Sequence, residues 1–211
     1  MTQTRIGIIG AGRMGRGFAI RFAAAGNDVT ITAKGSARAE AAAVEAGSAV
    51  RALPLEDFAR DADVLVLATP YGVAVDALRA AGDLRGKTVI DVTNPIKPDL
   101  SGLLLGHTTS AAEEIQKAIP EARVVKAFNT IFSDVLGTKP TAIRPQAFYA
   151  GDDAQAKRVV RELIESIAFE PMDAGPLVNA RYLEPLGMLT IYFGYGGGLG
   201  RGVAPWIGQV I

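Results

Sequence analysis

The chain has 211 residues, 49% of them hydrophobic, with a formal net charge of zero and no cysteine. This length and apolar content suffice for a large core and argue against a disordered chain. The balanced charge argues against nucleic acid or a membrane surface as a partner. The lack of cysteine excludes disulfides, thiolate metal sites and a cysteine nucleophile. Because no leader or membrane-spanning segment is recognised, we expect a soluble, cytoplasmic protein.

The first turn of the chain carries a glycine pattern. An apolar run over residues 6–9 predicts a strand, which ends in Gly-x-Gly-x-x-Gly and opens onto a helical pattern over 14–25. In this context the first glycine permits a tight turn, the second leaves room for a pyrophosphate, and the third lets the helix approach the strand. The alternative is an ordinary structural turn. The residues that we predict to hold a dinucleotide here are Gly10, Gly12, Arg13, Met14 and Gly15.

The end of the second predicted strand indicates which dinucleotide binds. A site for NAD commonly has Asp or Glu about 20 residues after the glycines, but here the first carboxylate after Thr32 is Glu40. Lys34 and Arg38 can neutralise a 2′-phosphate, and Thr32 and Ser36 can donate hydrogen bonds. We therefore favour NADP over NAD, the alternative being a solvated loop with ordinary surface charges.

The rest of the chain alternates strand and helix patterns, which predicts an α/β, Rossmann-type, doubly wound and mainly parallel sheet. We expect an NADP-binding domain over residues 1–175 and a small C-terminal helical and glycine-rich segment over 176–211. After the first helix, the pattern predicts strands at 28–32, 49–53, 63–68, 87–92, 123–128, 147–150 and 169–172. It predicts helices at 36–46, 54–60 and 110–120, a helix that Asp152 caps, and a helix at 177–193 apart from Pro185.

Polar residues follow several predicted strands, at the edge where ligands of such folds bind. Thr69 and Pro70 are predicted to cap and begin a helix. Asn94 could meet a nicotinamide carboxamide, although an Asn-Pro turn explains it equally well. Asn129 and Thr130 form another polar pair at this edge.

Candidates for acid–base catalysis are scarce. His107 is the one histidine, and its place in a loop is more typical of a surface residue than of a catalyst. No cluster of His, Asp and Glu has metal-ligand spacing, so we predict no metal site and assign no catalytic residue. Hydride transfer between two bound redox cofactors needs little acid–base help from the protein, and the sequence fits that chemistry best.

Several strings together carry a family resemblance. They are Asp-Val-Thr-Asn-Pro at 91–95, Ser-Ala-Ala-Glu at 110–113, Val-Val-Lys-Ala-Phe-Asn-Thr at 124–130 and Asp-Ala-Gly-Pro-Leu at 173–177, with Asn179, Arg181 and Glu184. With these strings the chain resembles the NADPH-dependent reductases of the deazaflavin coenzyme F420. It also resembles the NADPH-binding part of the six-transmembrane ferric reductases, and its string at 126–129 is closer to that branch.

The resemblance implies NADPH along the sheet edge, with a flat deazaflavin stacked on its nicotinamide. Our alternative for the acceptor is FMN. It implies pyrophosphate at 10–15, the 2′-phosphate at Thr32, Lys34 and Arg38, the adenosine side at Thr69 and Pro70, and the nicotinamide at Asn94, Ala127 and Asn129. Two alternatives stay open. One is a reductase of a small imine or 2-oxo acid. Such reductases generally have a long helical second domain, and the roughly 40 residues after the last predicted strand are too few for one. The other alternative is a non-catalytic NADP(H)-binding redox sensor.

The predicted C-terminal helix is strongly apolar over residues 186–193. It either completes the core or is buried against a twofold partner. We expect a homodimer with this segment at its interface, and we expect the glycine run at 194–200 to form one wall of the acceptor pocket. Arg181 and Glu184 are spaced for an i,i+3 ion pair.

Overall fold

The computed structural model describes residues 3–138 and 143–209, which form one eight-stranded sheet with helices on both faces. The strands are β1 (Arg5–Ile9), β2 (Asp28–Thr32), β3 (Val50–Ala52), β4 (Val64–Leu67), β5 (Thr88–Asp91), β6 (Arg123–Ala127), β7 (Gln146–Gly151) and β8 (Glu170–Asp173). The α-helices are α1 (Arg13–Ala24), α2 (Ser36–Ala46), α3 (Phe58–Asp61), α4 (Ala74–Ala80), α5 (Ala111–Ala118), α6 (Ser133–Gly137), α7 (Ala154–Ser166) and α8 (Ala180–Tyr195).

The strand order is β3-β2-β1-β4-β5-β6-β7-β8. All neighbouring pairs are parallel except β6 and β7, which run antiparallel. The order reverses between β1 and β4, and ligands of open α/β sheets bind at the carboxyl ends of the strands near such a point. The predicted Rossmann-type, doubly wound and mainly parallel fold is confirmed.

Apolar side chains on the two faces of the sheet form two large cores. One lies under α1, where Phe18 and Phe22 are fully buried, and extends to Phe128 and Phe169. The other lies under α4 and α5. Strands that are covered on both faces are apolar at successive positions, which is why residues 64–67 are buried without alternation.

Two predicted helix starts are wrong. Pro70 is extended, with ψ of 144°, and α4 begins at Ala74 after a 3₁₀ turn over Tyr71–Val73. The cap of α7 is Asp153, whose Oδ1 accepts a hydrogen bond from the Ala156 amide at 2.7 Å. The carboxylate of Asp152 instead accepts from the amide of Leu177 at 2.9 Å. Adjacent aspartates are equivalent in a pattern, and only their backbone angles decide which one caps.

The last helix also differs from its prediction. A 3₁₀ turn over Leu177–Asn179 precedes α8, which continues through Pro185 instead of breaking there. The expected ion pair between Arg181 and Glu184 is wrong, because each side chain bonds to another element. Arg181 binds Glu113 of α5 through two hydrogen bonds of 2.6 and 2.9 Å, and Glu184 turns inward. The short helix α6 was missed by the sequence pattern.

Candidate functional site

The glycine turn between β1 and α1 has the shape of an anion site. Gly10 has φ of +119°, and a Cβ there would overlap the carbonyl oxygen of Ala68. A Cβ on Gly15 would overlap the carbonyl oxygen of Gly10, so the helix lies directly against the turn. A Cβ on Gly12 would meet nothing within 4 Å. The first turn of α1 has neither a side-chain cap nor an acidic residue, so its N–H groups and positive dipole end remain available to a phosphate.

Arg13 and Met14 follow the glycine turn on different sides of α1. The guanidinium of Arg13 lies 2.9 Å from Oδ1 of Asp134, and Arg201 reaches the same oxygen at 3.0 Å. The side chain of Met14 lines the main cavity described below. The segment after α8 thus returns to the start of α1 through one shared carboxylate.

The basic residues after β2 are exposed. Thr32 is buried at the end of β2, whereas Lys34, Ser36 and Arg38 face solvent. Neither Lys34 nor Arg38 makes an ion pair with any residue in the described part of the chain. The cap position of α2, Gly35, supplies no side-chain hydrogen bond to the helix start. Two free cations beside an uncapped helix N-terminus suit a phosphate group.

A cavity of about 320 Å³ opens at the carboxyl ends of β5 and β6, beneath α8. This volume is at the lower end of the range for small-molecule sites, about 300–1,000 Å³. Its lining is apolar with a few amides and hydroxyls and contains no charged side chain. The lining residues are Met14, Val92, Asn94, Ile96, Leu100, Phe128, Asn129, Thr130, Ile131, Phe132, Ser133, Gly187, Thr190, Ile191 and Tyr195.

Asn94 and Asn129 bond to each other across the two strand ends. Nδ2 of Asn94 donates to the Asn129 carbonyl at 2.7 Å, and Nδ2 of Asn129 donates to Oδ1 of Asn94 at 2.9 Å and to the Leu183 carbonyl at 2.7 Å. Both N–H groups of the Asn129 amide are therefore used within the protein. Oδ1 of Asn129 is buried and has no hydrogen-bond partner in the described residues.

Further buried polar atoms at this edge also have no partner in the described residues. They are the hydroxyl oxygens of Thr69, Thr93 and Thr130. Buried polar groups without a partner are rare in native proteins, and a cluster of them at a ligand edge indicates that a bound group satisfies them. Together with the open space at Gly12 and the two free cations, these atoms fit a phosphorylated dinucleotide along the sheet edge.

Buried charges hold the cavity wall in place, and the sequence analysis did not assign them. Nζ of Lys126 lies 2.7 Å from Oδ2 of Asp91, 2.8 Å from Oε1 of Glu184 and 2.7 Å from the Thr93 carbonyl. Burial disfavours the charged form of this lysine, but attraction and hydrogen bonds from both carboxylates outweigh it and raise the pKa of Lys126. The sequence did contain a signal for this cluster. A charged residue stands near the carboxyl end of each of two otherwise apolar strands, Asp91 in β5 and Lys126 in β6.

Other predicted features lie apart from this site or contribute little to it. His107 is exposed in its loop, with φ of +60°. Of the glycine run at 194–200, Tyr195 lines the cavity. In residues 3–138 and 143–209, no group of three or more His, Asp or Glu side chains is arranged to hold a metal ion. Among the helices of these same residues, none has both the length and the apolar run that crossing a membrane requires.

Comparison with known proteins identifies relatives over most of the chain. The family model described as NADP oxidoreductase, coenzyme F420-dependent, matches residues 5–95. The F420-dependent NADP reductase of Methanothermobacter thermautotrophicus is 32% identical over 203 residues, covering 89% of this chain and 88% of the relative. Metalloreductase STEAP3 of Rattus norvegicus is 30% identical over 182 residues. That match covers 86% of this chain, which spans only 36% of the metalloreductase.

Solved structures show the same relationship. A candidate F420-dependent NADP reductase from Arthrobacter sp. FB24 superposes with a TM-score of 0.83 at 29% identity, covering 94% of this chain and 96% of the other. A reductive aminase from Aspergillus terreus, in complex with NADPH, has a TM-score of 0.68 at 22% identity. The match covers 93% of this chain and 64% of the aminase chain, and at this identity it shows a likeness of fold alone. Because the archaeal reductase matches over most of both sequences, the chain belongs to the family of coenzyme F420-dependent NADP oxidoreductases and is by class an NADP-dependent oxidoreductase.

Proposed function

We propose that this protein transfers hydride between NADP(H) and a planar redox acceptor, with the deazaflavin F420 as the first candidate and FMN as the second. The observation that carries the proposal is the uncharged cavity at the ends of β5 and β6, which Met14 connects to the glycine turn. A dinucleotide that starts at this turn would extend toward the cavity. The acceptor would then lie between that end of the dinucleotide and α8.

We assign the phosphate groups of the donor to the first part of the sheet and its nicotinamide to the end of β6. The uncapped start of α1 and the open space at Gly12 would receive the pyrophosphate. Lys34 and Arg38, with Thr32 and Ser36 beside them, would bind the 2′-phosphate. Oδ1 of Asn129 would accept a hydrogen bond from the nicotinamide carboxamide, since its own N–H groups are already used. Thr69 and Pro70 would border the dinucleotide on its adenosine side, and Ala127, the last residue of β6, would lie near the nicotinamide.

The lining of the cavity supports a redox-ring acceptor over a ketone or imine. In the described residues it contains no carboxylate, histidine, lysine or arginine, and its one phenol, Tyr195, is 61% exposed at the cavity edge. Bound NADPH supplies the hydride, and a deazaflavin or flavin ring accepts it without a proton donor from the protein at the reacting carbon. What the protein must do is hold the two rings in contact and exclude water.

The acceptor is tested by mixing the purified protein with NADPH and, separately, with F420, FMN, a cyclic imine and a 2-oxo acid. NADPH oxidation is followed by absorbance. We expect turnover with a planar acceptor and none with the other two compounds. Turnover with the imine alone would favour the imine reductase alternative. Tight NADPH binding without any turnover would favour the redox sensor.

The cofactor is tested with the double variant Lys34→Ala/Arg38→Ala. Because each cation would make a charge-assisted hydrogen bond worth about 1.5–3 kcal/mol, loss of both should raise the Kd for NADPH at least about 100-fold, with the Kd for NADH unchanged. Arg79→Ala, an exposed arginine on α4, is the matched control and should change neither affinity. Wild-type protein that binds NADH more tightly than NADPH would contradict this assignment.

The proposed assembly is a homodimer formed through the exposed side of α8, and the proposed location is the cytoplasm. Tyr182, Leu189 and Phe193 are exposed by 74%, 49% and 42%. Their spacing of seven and four residues places them on one side of the helix. A cysteine-free chain agrees with a reducing compartment.

A further inference from the structure

The buried ion cluster of Lys126, Asp91 and Glu184 is larger than stability alone explains. All three side chains are at most 1% exposed. The ammonium group has three N–H donors, and the two carboxylates and the Thr93 carbonyl take all three. Replacing such a cluster by well-packed apolar residues is often neutral or stabilising. We therefore look for a role of the cluster in the site.

The cluster joins elements that are distant in sequence. Asp91 ends β5, Lys126 lies near the end of β6, and Glu184 lies in the second turn of α8. The carboxylate of Glu184 also accepts from the amides of Ala111 and Ala112, at 2.9 and 3.2 Å, at the start of α5. Hydrogen bonds to charged groups are strong and directional. The cluster thus fixes both the height and the rotation of α8 over the sheet edge.

The same strand ends carry the cavity amides. Asp91 precedes Asn94 by three residues, and Lys126 precedes Asn129 by three. One turn beyond Glu184, a Cβ on Gly187 would stand 2.8 Å from Oδ1 of Asn94 and 2.9 Å from Nδ2 of Asn129. Helix α8 therefore packs so closely against the amides of Asn94 and Asn129 that no side chain would fit at position 187. A small shift of α8 changes both the amides and the cavity wall.

We propose that Lys126, Asp91 and Glu184 are positioning residues, which hold α8 at the distance from the β5 and β6 ends that hydride transfer to the acceptor requires. This inference rests on the proposed function. The glycine turn, Lys34 and Arg38 lie on β1, α1, β2 and α2, where the cluster makes no contact. Its loss should therefore impair use of the acceptor far more than NADPH binding, because the phosphate contacts remain and only the carboxamide contact at Asn129 is disturbed.

The test compares Glu184→Gln with Glu113→Gln. Both substitutions remove one carboxylate that connects α8 to α5, but Glu113 is partly exposed and bonds to Arg181 outside the cluster. In Glu184→Gln we expect kcat with the planar acceptor to fall about 10- to 100-fold, because misplacement by about 1 Å can cost that much. We expect the NADPH Kd, measured by fluorescence, to rise by no more than about tenfold, because at most one neutral hydrogen bond, the one to Asn129, is disturbed. Amides of residues 186–195 should exchange hydrogen faster. Glu113→Gln should leave all three measurements as in the wild type.

A second variant, Glu184→Asp, keeps the charge and shortens the side chain by one methylene. It should lower kcat as Glu184→Gln does, because position and not charge is altered. Variants of Glu184 that turn over like the wild type, or that lose NADPH affinity in parallel with kcat, would overturn the inference. So would failure of both variants to fold. If the wild-type protein turns over neither F420 nor FMN, the proposed function is overturned together with this inference. That measurement is made before any variant is prepared.

Discussion

At the scale of single residues, two glycines of the first turn serve different purposes although they lie three positions apart. Gly12 borders open space, whereas Gly15 is pressed against the carbonyl of Gly10. The glycine motif already predicts that the second glycine leaves room for the ligand and that the third allows close helix packing. Their surroundings assign Gly12 to the ligand and Gly15 to the fold.

Alanine at Gly12 should therefore impair NADPH binding, whereas alanine at Gly15 should lower the stability of the fold. Gly12→Ala should leave the melting temperature unchanged and raise the Kd for NADPH at least about tenfold, because the new methyl group enters the space for the pyrophosphate. Gly15→Ala should cost about 1–3 kcal/mol of unfolding free energy, because α1 must move away from the turn. Thermal unfolding and NADPH titration measure the two effects. Equal loss of stability in both variants would contradict this distinction.

At the scale of elements, α8 is attached to α5 by a partly exposed pair, Arg181 and Glu113, as well as by the buried cluster. The hydrogen bond from Arg181, opposed in part by burial, holds the pKa of Glu113 below its ordinary value of 4.5. The native state therefore binds fewer protons at this group than the unfolded chain does. The stability that the pair provides is present above the unfolded pKa and is lost as pH falls through the lower folded pKa.

This direction predicts the acid behaviour of Glu113→Gln. At neutral pH the variant should lose only about 0.2–1 kcal/mol, since the pair is partly exposed. Between roughly pH 5 and pH 3 its unfolding free energy should fall less steeply than that of the wild type, because one depressed carboxylate is missing. Urea titrations at several pH values measure the slope. A steeper fall in the variant would contradict the assignment.

Patterns of local sequence predict most of these elements and the donor half of the site. Apolar runs located the strands, and the glycine spacing located the start of α1. The same patterns could not choose between Asp152 and Asp153 as a cap, nor predict that Glu184 turns away from Arg181. Those outcomes depend on backbone angles and on partners about 60–70 residues away in sequence, which periodicity does not contain. The amide pair of Asn94 and Asn129 was located at the correct edge, but its mutual hydrogen bonds required the fold.

At the scale of the whole molecule, the exposed side of α8 is the surface that we expect a second copy to cover. Leu189→Glu places a charge in the middle of it, between Tyr182 and Phe193. Light scattering should show a dimer for the wild type and a monomer for this variant, because burying an unpaired carboxylate is unfavourable. Lys117→Glu, on α5, is a charge-altering control that should remain dimeric. A monomeric wild type would contradict the proposed homodimer.

The donor and acceptor parts of the molecule are also separated along the chain. The glycine turn, Lys34 and Arg38 lie within the segment that runs from β1 through α1 and β2 to α2, which ends at Ala46. The cavity needs β5, β6, α6 and α8, and therefore nearly the whole chain. Sequence neighbours thus build the sites proposed for the pyrophosphate and the 2′-phosphate, and distant segments build the acceptor end.

The buried cluster has a consequence for synthesis on the ribosome. Lys126 leaves the ribosome nearly 60 residues before Glu184, and N-terminal parts of a protein generally fold first. Until α8 emerges, the nascent chain carries one buried cation opposite one carboxylate, together with the exposed apolar edge that α8 later covers. A chain terminated before α8 would retain the proposed dinucleotide-binding elements, but the apolar edge of its sheet would stay uncovered. Quality-control proteases should therefore remove such fragments before they sequester cofactor.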